Sequence, residues 1–588
     1  MRKRKAMFAA AVAVGMSGAG STFAVDNLWT GTTSRDWNDP TNWSLGRVPV
    51  APNGQPAPDD FDDAVISTLT NFPLVSVDPI AVPRDVIVGS GAGTSGRVDQ
   101  NAGTVTTGNG NWFYVARDAG TATYNLANTA TTGGTLTGFG MGSGSMDIGG
   151  GSGHAGTAGR VYVGGTEFGA AGATGTFNVN TSGTLTVRND LNVGTDGGIG
   201  VMNVDAGTIT TGGWNFFGKR QNADGANGTF NMSGGTLTNG GRTYVAQTTT
   251  TAAMNMSGGT YTQGDVFIIG EGVGSHGTVN ITGPTAALTV NSELWVGQAA
   301  GGNGVMTVSA GTVTTHNWIA VGREGATGIL NVNGTGVVQK QDAGHITIGT
   351  GAGGNGTVNV SGNGVLSTNG DFILGENDPT AVGVVNQTGG TVKVGGNLEV
   401  QRTGIGTYTL AGGTLSVDGN IDGTDGTFVF TGGRITRSNG GAVNYSGNLT
   451  IGNKAAGFVL NTDRTFAVTG VLDVTPGVTF DVTGVTIPNS QGAGTVHLGS
   501  DASIIGTFDP STTTLAGLIN SPGATFISEA AGEGGLFNPS TQSVFWVQEN
   551  AGSVDLKYSV AVPEPAVLSL AGLSGLALLA RRRNRRGV

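Results

Sequence analysis

The chain is defined first by what it does not contain. It has no cysteine in 588 residues, which excludes disulfide staples, a thiolate nucleophile and a thiolate metal site. Charged residues make up only 11%, too few for an ordinary helical globule. Histidine occurs five times, at His154, His276, His316, His345 and His497. The five are widely separated and none stands in the H-E-x-x-H spacing of a zinc hydrolase. Long apolar runs are absent except at the two ends. Two stretches, Gly151–Gly156 and Gly351–Gly356, satisfy G-x-G-x-x-G, but neither opens a helix, and glycine is common enough here for such matches to arise by chance. Gly213 to Lys219 approaches a phosphate-binding loop, yet Arg220 stands where Ser or Thr must hold the metal. No cofactor is expected.

What is abundant is glycine, 109 residues, together with 37% hydrophobic residues. That much glycine would suggest disorder, but the apolar residues alternate strictly with polar ones, as in half-buried strands, and glycine punctuates them as turns. Comparison of the chain with itself reveals a repeat. One unit runs Gly175-Thr-Phe-Asn-Val-Asn-Thr-Ser-Gly-Thr-Leu-Thr-Val-Arg-Asn-Asp-Leu-Asn-Val-Gly194. Further copies begin at Gly200, Gly228, Ala252, Gly277, Gly304, Gly328, Gly356, Gly383, Gly406 and Gly426. An earlier copy is legible at Gly96–Ala116, and the stretch between reads as degenerate copies.

Each unit holds three short alternating segments and three turns, and none could bury its apolar side alone. Stacked as coils, Phe177, Val179, Leu185, Leu191 and Val193 would share one interior. The expected architecture is all-β, a right-handed β-solenoid (parallel β-helix) of about 25-residue coils with N- and C-terminal β caps. About fourteen coils at about 4.8 Å each give a rod on the order of 65 Å long. The expected organisation is a signal peptide at 1–24, a Trp-rich cap at 25–95, solenoid repeats at 96–452, a further β region at 453–561 and a tail at 562–588. In the β region, Ser543–Gln548 and Ser553–Ser559 read as a closing hairpin.

The ends carry sorting information. Arg2-Lys3-Arg4-Lys5, an uncharged Ala/Val/Met/Gly run from Ala6 to Gly20, and small residues at Thr22 and Ala24 read as a secretory signal cleaved between Ala24 and Val25. A signal peptidase is therefore an expected partner. At the other end, Pro563-Glu564-Pro565 precedes an apolar segment, Ala566–Ala580, and an arginine cluster, Arg581–Arg586. Fifteen residues make about 22 Å of helix, shorter than the bilayer core of about 30 Å. Under the positive-inside rule the arginines stay cytoplasmic. Residues 566–580 are thus expected to act as a transmembrane helix that anchors the chain transiently in the inner membrane.

This ordered triplet resembles the PEP-CTERM sorting signal of exported proteins. The resemblance implies an exosortase-type processing enzyme as a partner and Pro563, Glu564 and Pro565 as processing residues. Near the start, Trp29, Trp37-Asn38, Asn42-Trp43 and Pro49 resemble the opening segment of exported repeat proteins of the autotransporter-associated type. Their physical role would be to cover the open end of a solenoid.

Candidate function lies on the outside of the coils. Thr-x-Thr recurs at Thr104/Thr106, Thr135/Thr137, Thr184/Thr186, Thr208/Thr210, Thr236/Thr238, Thr260/Thr262 and Thr312/Thr314. Alternation would turn both threonines outward and build two columns. Such columns suit ice or a polysaccharide surface, although Thr is also an ordinary exposed strand residue, and later coils replace the pair. The recurrent asparagines, Asn178 through Asn386, read as a structural amide ladder. Two acidic groups, Asp59/Asp60/Asp62/Asp63 and Asp418/Asp422/Asp425, fall in Gly- or Pro-rich stretches where solvated Asp is common.

Nine of the 28 basic residues lie in the two terminal signals, so the part between them is more acidic still than the overall −11. Such a surface repels nucleic acid and anionic membranes. The expectation is an exported, non-catalytic structural or adhesive protein of the cell surface or extracellular space, associated with extracellular polysaccharide. Two alternatives remain: a β-helix polysaccharide lyase or hydrolase, and an ice-binding solenoid using the Thr columns.

Overall fold

Parallel strand stacking organises most of the described residues. The computed structural model describes residues 25–50, 62–108, 112–132, 135–148, 159–166 and 172–436, less 343 and 424, and beyond these only the strands up to Ser559. It is a β-solenoid of about 13 turns at about 26 residues per turn. The one helical element among the described residues is a single 3-10 turn, Pro40–Asn42.

Each regular coil has three strands, as in Asn227–Met232, Thr236–Asn239 and Thr243–Val245. Every one pairs in parallel with its counterpart in the next coil, Thr251–Met256, Thr260–Gln263 and Phe267–Ile269. Third strands form one continuous sheet. First and second strands share another, because in several coils they fuse into a single long strand such as Ile199–Thr211. The predicted copy starts coincide in register: Gly175, Gly200, Gly228, Ala252, Gly277, Gly304, Gly328, Gly356, Gly383 and Gly406 stand one above another.

Glycine stands at nine of these ten positions, Ala252 being the exception, and at Gly200 the reason is steric. A Cβ on Gly200 would overlap the Val163 carbonyl oxygen and the Gly194 nitrogen, and Gly194 itself adopts φ +71°. The third strand bends there so tightly that the next coil's first strand passes against bare backbone. Phe177, Val179, Leu185, Leu191 and Val193 are all buried in the one long core, as alternation requires.

The start of the chain is less of a separate cap than expected. Val25–Leu28 pairs in parallel with Asp62–Ile66, and that strand with Val86–Ser90, so the third-strand sheet begins at residue 25. Trp29, Trp37 and Trp43 do seal the end. Trp43 meets each of the others edge to face at 5.0 Å, and its Nε1 donates to the Trp37 carbonyl at 2.9 Å.

The reading of 117–174 as several degenerate copies is corrected. Ala122 pairs directly with Gly175, so 53 residues make one coil, enlarged by an antiparallel hairpin of Asn128–Thr132 with Thr135–Gly140. Thr135 and Thr137 lie in that hairpin; Ser145 and Asp147 take their place in the columns. At the far end parallel pairing runs on past residue 452 to Ile504–Ile505. Val544–Asn550 and Ser553–Ser559 pair antiparallel as the expected hairpin.

Candidate functional site: the outward faces of the coils

The stacking produces three rows of outward chemistry. On the second strands, the pattern at Thr236–Asn239 is exposed, buried, exposed, buried, so Leu237 enters the core and both threonines face out. Thr184, Thr208, Thr236 and Thr260 stand in one column, and Thr186, Thr210, Thr238 and Thr262 in the other. The first column is then interrupted by Ala287, resumes at Thr312, is interrupted again by Val337 and Val365, and returns at Thr391 and Thr414. The complete Thr pair therefore spans four consecutive coils.

On the first strands the outward residue is mostly asparagine, and from Asn125 to Asn280 the ladder is unbroken. Asn178, Asn203, Asn231, Asn255 and Asn280 each donate through Nδ2 to the Oδ1 of the asparagine one coil earlier, at 2.8–2.9 Å. Asn125 begins the series by donating at 2.8 Å to Asp99, a buried carboxylate also held by Arg35 and Arg97. A carboxylate only accepts, so Asp99 fixes the direction of the amides linked to it, from Asn125 to Asn280. At Thr307 the amide is replaced by a hydroxyl, which accepts from Asn331 at 3.2 Å, and the ladder resumes through Asn359 and Asn386.

Beside the asparagines runs a second row, Asp205, Ser233, Ser257 and Thr282. Together the two rows line a polar groove of about 420 Å³ over Asn178, Asn203, Asn231 and Asn255, with the buried Met232 beneath it.

The third strands carry a face that the sequence reading missed. The middle residue of apolar-x-Val points away from the long core, and in several coils it is aromatic; these rings are nevertheless buried, Tyr114 and Tyr162 in one small cluster and Phe216 and Tyr244 in another. Tyr114 stacks on Tyr162 at 5.2 Å, and Phe216 on Tyr244 at 5.3 Å. Trp214, 43% exposed, lies over the second pair. Lys219 sits 4.5 Å from the Phe216 ring and Arg323 4.5 Å from that of Trp295. The signal was present as Phe113-Tyr114-Val115 and Leu294-Trp295-Val296, but an unbroken apolar run reads as core unless its alternation is taken literally. Lys219, the lysine of the near phosphate-binding pattern, belongs to this face and lies on the strand Asn215–Lys219.

A polar network inside the core was also missed. Tyr261 accepts from Asn215 at 2.8 Å and pairs with Thr243 at 2.6 Å, while Thr243 donates to Gln263 at 2.7 Å. Burial pushes the Tyr261 phenol up to about 12, so it stays protonated and acts as a structural donor.

The acidic stretch near the start is corrected too. Asp62 and Asp63 occupy a buried strand, where Arg47 reaches Asp62 at 2.8 Å and Arg84 reaches Asp63 at 2.7 Å. They hold the fold and are not solvated turn residues. Asp59 and Asp60 lie outside the described residues. Asp422 and Asp425 are exposed and Asp418 is half-buried, but Asp422 lies on the strand Ile421–Gly423 and not in a turn. His316 pairs with Asp342 at 2.8 Å and His345 with Asp371 at 3.5 Å. Among the described residues no three His, Asp or Glu converge on a metal position, and no helix is long and apolar enough to cross a membrane. Val25 opens the first strand. Ala24, Pro563, Glu564, Pro565 and the segment 566–580 lie outside the described residues.

No family model, no curated protein and no solved structure matches the chain.

Proposed function

We propose that this chain is an exported structural or adhesive protein of the cell surface or extracellular space, which associates with extracellular polysaccharide and performs no catalysis. The observation that carries the reading is repetition in register: from Gly175 to Gly406 each coil sets its outward first- and second-strand positions directly above those of the coil before. A surface of this kind binds through many equivalent weak contacts, whose effects multiply along an extended partner. The basic and apolar start, cleaved between Ala24 and Val25, and the tail with Pro563-Glu564-Pro565 support export through a signal peptidase and an exosortase-type enzyme, with the membrane engaged only transiently.

The rival reading, a solenoid lyase or hydrolase, has one observation in its favour. The enlarged coil between Ala122 and Thr174 breaks the pattern, and Asp147 and Arg188 form an ion pair at 2.9 Å at its edge.

The test is a series of whole-coil deletions. Removing residues 228–276 takes out two coils and joins Asn227 to Gly277 in frame. Retention of polysaccharide should fall gradually as coils are lost. Turnover of acidic or neutral polysaccharide by the full chain, abolished by Asp147→Asn, would replace this reading with the enzymatic one.

A further inference from the structure

The geometry points to the groove along the asparagine ladder as a binding site for a neutral, hydroxyl-rich glycan chain lying parallel to the rod axis, one sugar to one coil. This inference rests on the polysaccharide reading above and names its site and class of ligand.

Each ladder amide has two N–H donors and two acceptor lone pairs. The ladder uses one donor and one acceptor along the axis, as the bonds from Asn203 to Asn178 and from Asn231 to Asn203 show. The second N–H and the second lone pair of each amide remain for the groove. Every rung thus offers a donor beside an acceptor, the pairing that a sugar hydroxyl, itself both donor and acceptor, satisfies. The ladder bonds also fix each amide before any ligand arrives, so little side-chain entropy is lost on binding.

Periodicity supports an extended glycan over a compact ligand. The rungs repeat at the spacing of adjacent strands, about 4.8 Å, close to the advance of one hexose in an extended chain. Small mismatches accumulate, so the match holds over a few sugars, about the four asparagine rungs that line the groove.

Charge selects the class. No cationic side chain lines the groove, whereas Asp205 does, and the chain as a whole is acidic. Polyuronates, sulfated glycans and nucleic acids are therefore disfavoured.

The experiment uses the full chain and a ladder of neutral oligosaccharides, manno-, gluco- and N-acetylglucosamino-oligomers of two to eight units, with oligogalacturonates of the same lengths, followed by calorimetry. Affinity for one neutral series should rise with length and level off near four to six units. The diagnostic variant is Asn231→Thr. Thr307 already occupies a rung in this same ladder and accepts from Asn331, so the rod tolerates the replacement, and circular dichroism should be unchanged. Binding should weaken about tenfold, a loss of the order expected when one set of oriented contacts is removed. Thr236→Ala, on the neighbouring face, should leave binding within about twofold, inside the range of ordinary surface changes.

Equal binding by Asn231→Thr and the unaltered chain would overturn the groove while leaving the polysaccharide reading in place. Tighter binding of oligogalacturonate than of every neutral oligomer would overturn the neutral class. Failure of the unaltered chain to retain any polysaccharide would remove the reading on which the groove depends.

Discussion

The coils before residue 175 and those after it use the same strand pairing but hold themselves together differently. In the first region carboxylates are buried beside the core, each held by arginines that reach toward the surface: Asp62 by Arg47, Asp63 by Arg84, and Asp99 by Arg35 and Arg97. In the second, ion pairs such as Arg220–Asp224 and Arg242–Asp265 sit at exposed turns, and the polar groups of the interior are mostly neutral, as in the Asn215–Tyr261–Thr243–Gln263 network. A middle coil gains a neighbour on both sides, so repeating one pattern suffices. The first coil has a neighbour on one side only. Its open edge would accept another strand, and the tryptophan cluster and locally satisfied ion pairs close it with groups that template nothing further.

The sharpest way to break this comparison is to remove a buried charge from the first region. Asp99 accepts from Arg35 at 3.2 Å, from Arg97 at 3.0 Å and from Asn125 at 2.8 Å. Asp99→Leu leaves two arginines without their anion and should cost about 3–5 kcal/mol. The loss should appear in hydrogen exchange confined to the first coils. Asp265→Leu, at an exposed pair, should cost about 0–1 kcal/mol. Similar losses at the two sites would erase the distinction between the regions.

The next effect depends on pH. Burial, followed by repulsion from Asp63, raises the Asp85 carboxyl from its usual 3.8 to about 6, and burial raises Asp63 as well. A folded-state pKa above the unfolded one means that the folded chain holds the proton more tightly. Stability should therefore fall as pH rises from about 4 to about 6, and ionised Asp85 should cost up to about 3 kcal/mol at neutral pH. Asp85→Asn keeps the Oδ1 that accepts from the Trp112 N–H at 2.9 Å and cannot ionise. It should raise the melting temperature of the first coils at pH 7.5 and have little effect at pH 4. A wild-type chain more stable at pH 7.5 than at pH 5 in this region would contradict the assignment.

The two regions also differ in how far they can be read from sequence. The regular coils announce themselves because steric need and burial coincide: Gly200 must be glycine for backbone clearance, and Met202 and Val204 must be apolar for the core. The first region is opaque because its coil length is set by an insertion. Only the pairing of Ala122 with Gly175 shows that 53 residues make a single turn. Asp62 and Asp63 look like surface residues until Arg47 and Arg84, distant in sequence, are brought beside them. Lys340 is a similar case within the regular region. It occupies the inward position taken by Thr315 below it, and its ammonium reaches the Asp342 carbonyl at the turn, a partner that alternation alone cannot reveal. The groove was half legible, since the recurring asparagines predicted the ladder, while the row beside it is polar in ways that composition hides among ordinary turn residues.

The smallest effect compares the two regions with one substitution. Asn255 donates to Asn231 at 2.9 Å and accepts from Asn280 at 2.8 Å, both neutral amide bonds. Asn255→Thr should cost about 1 kcal/mol, the usual net value of one such bond, because a hydroxyl can still accept from above as Thr307 does. Asn125 donates to the charged Asp99 and accepts from Asn178, so Asn125→Thr removes a charge-assisted bond worth about 1.5–3 kcal/mol. Asp99 keeps both arginines and is not orphaned, which holds the cost below that of Asp99→Leu. Denaturation monitored by hydrogen exchange should therefore rank Asn125→Thr above Asn255→Thr. It should also place the first change in the coils around Asp99 and the second within about one coil of residue 255, since in a stacked array each unit is coupled to its neighbours alone. If Asn255→Thr instead loosened the whole length from Asn178 to Asn280, the ladder would be acting as one cooperative element, and coupling in the middle of the rod would reach beyond nearest neighbours.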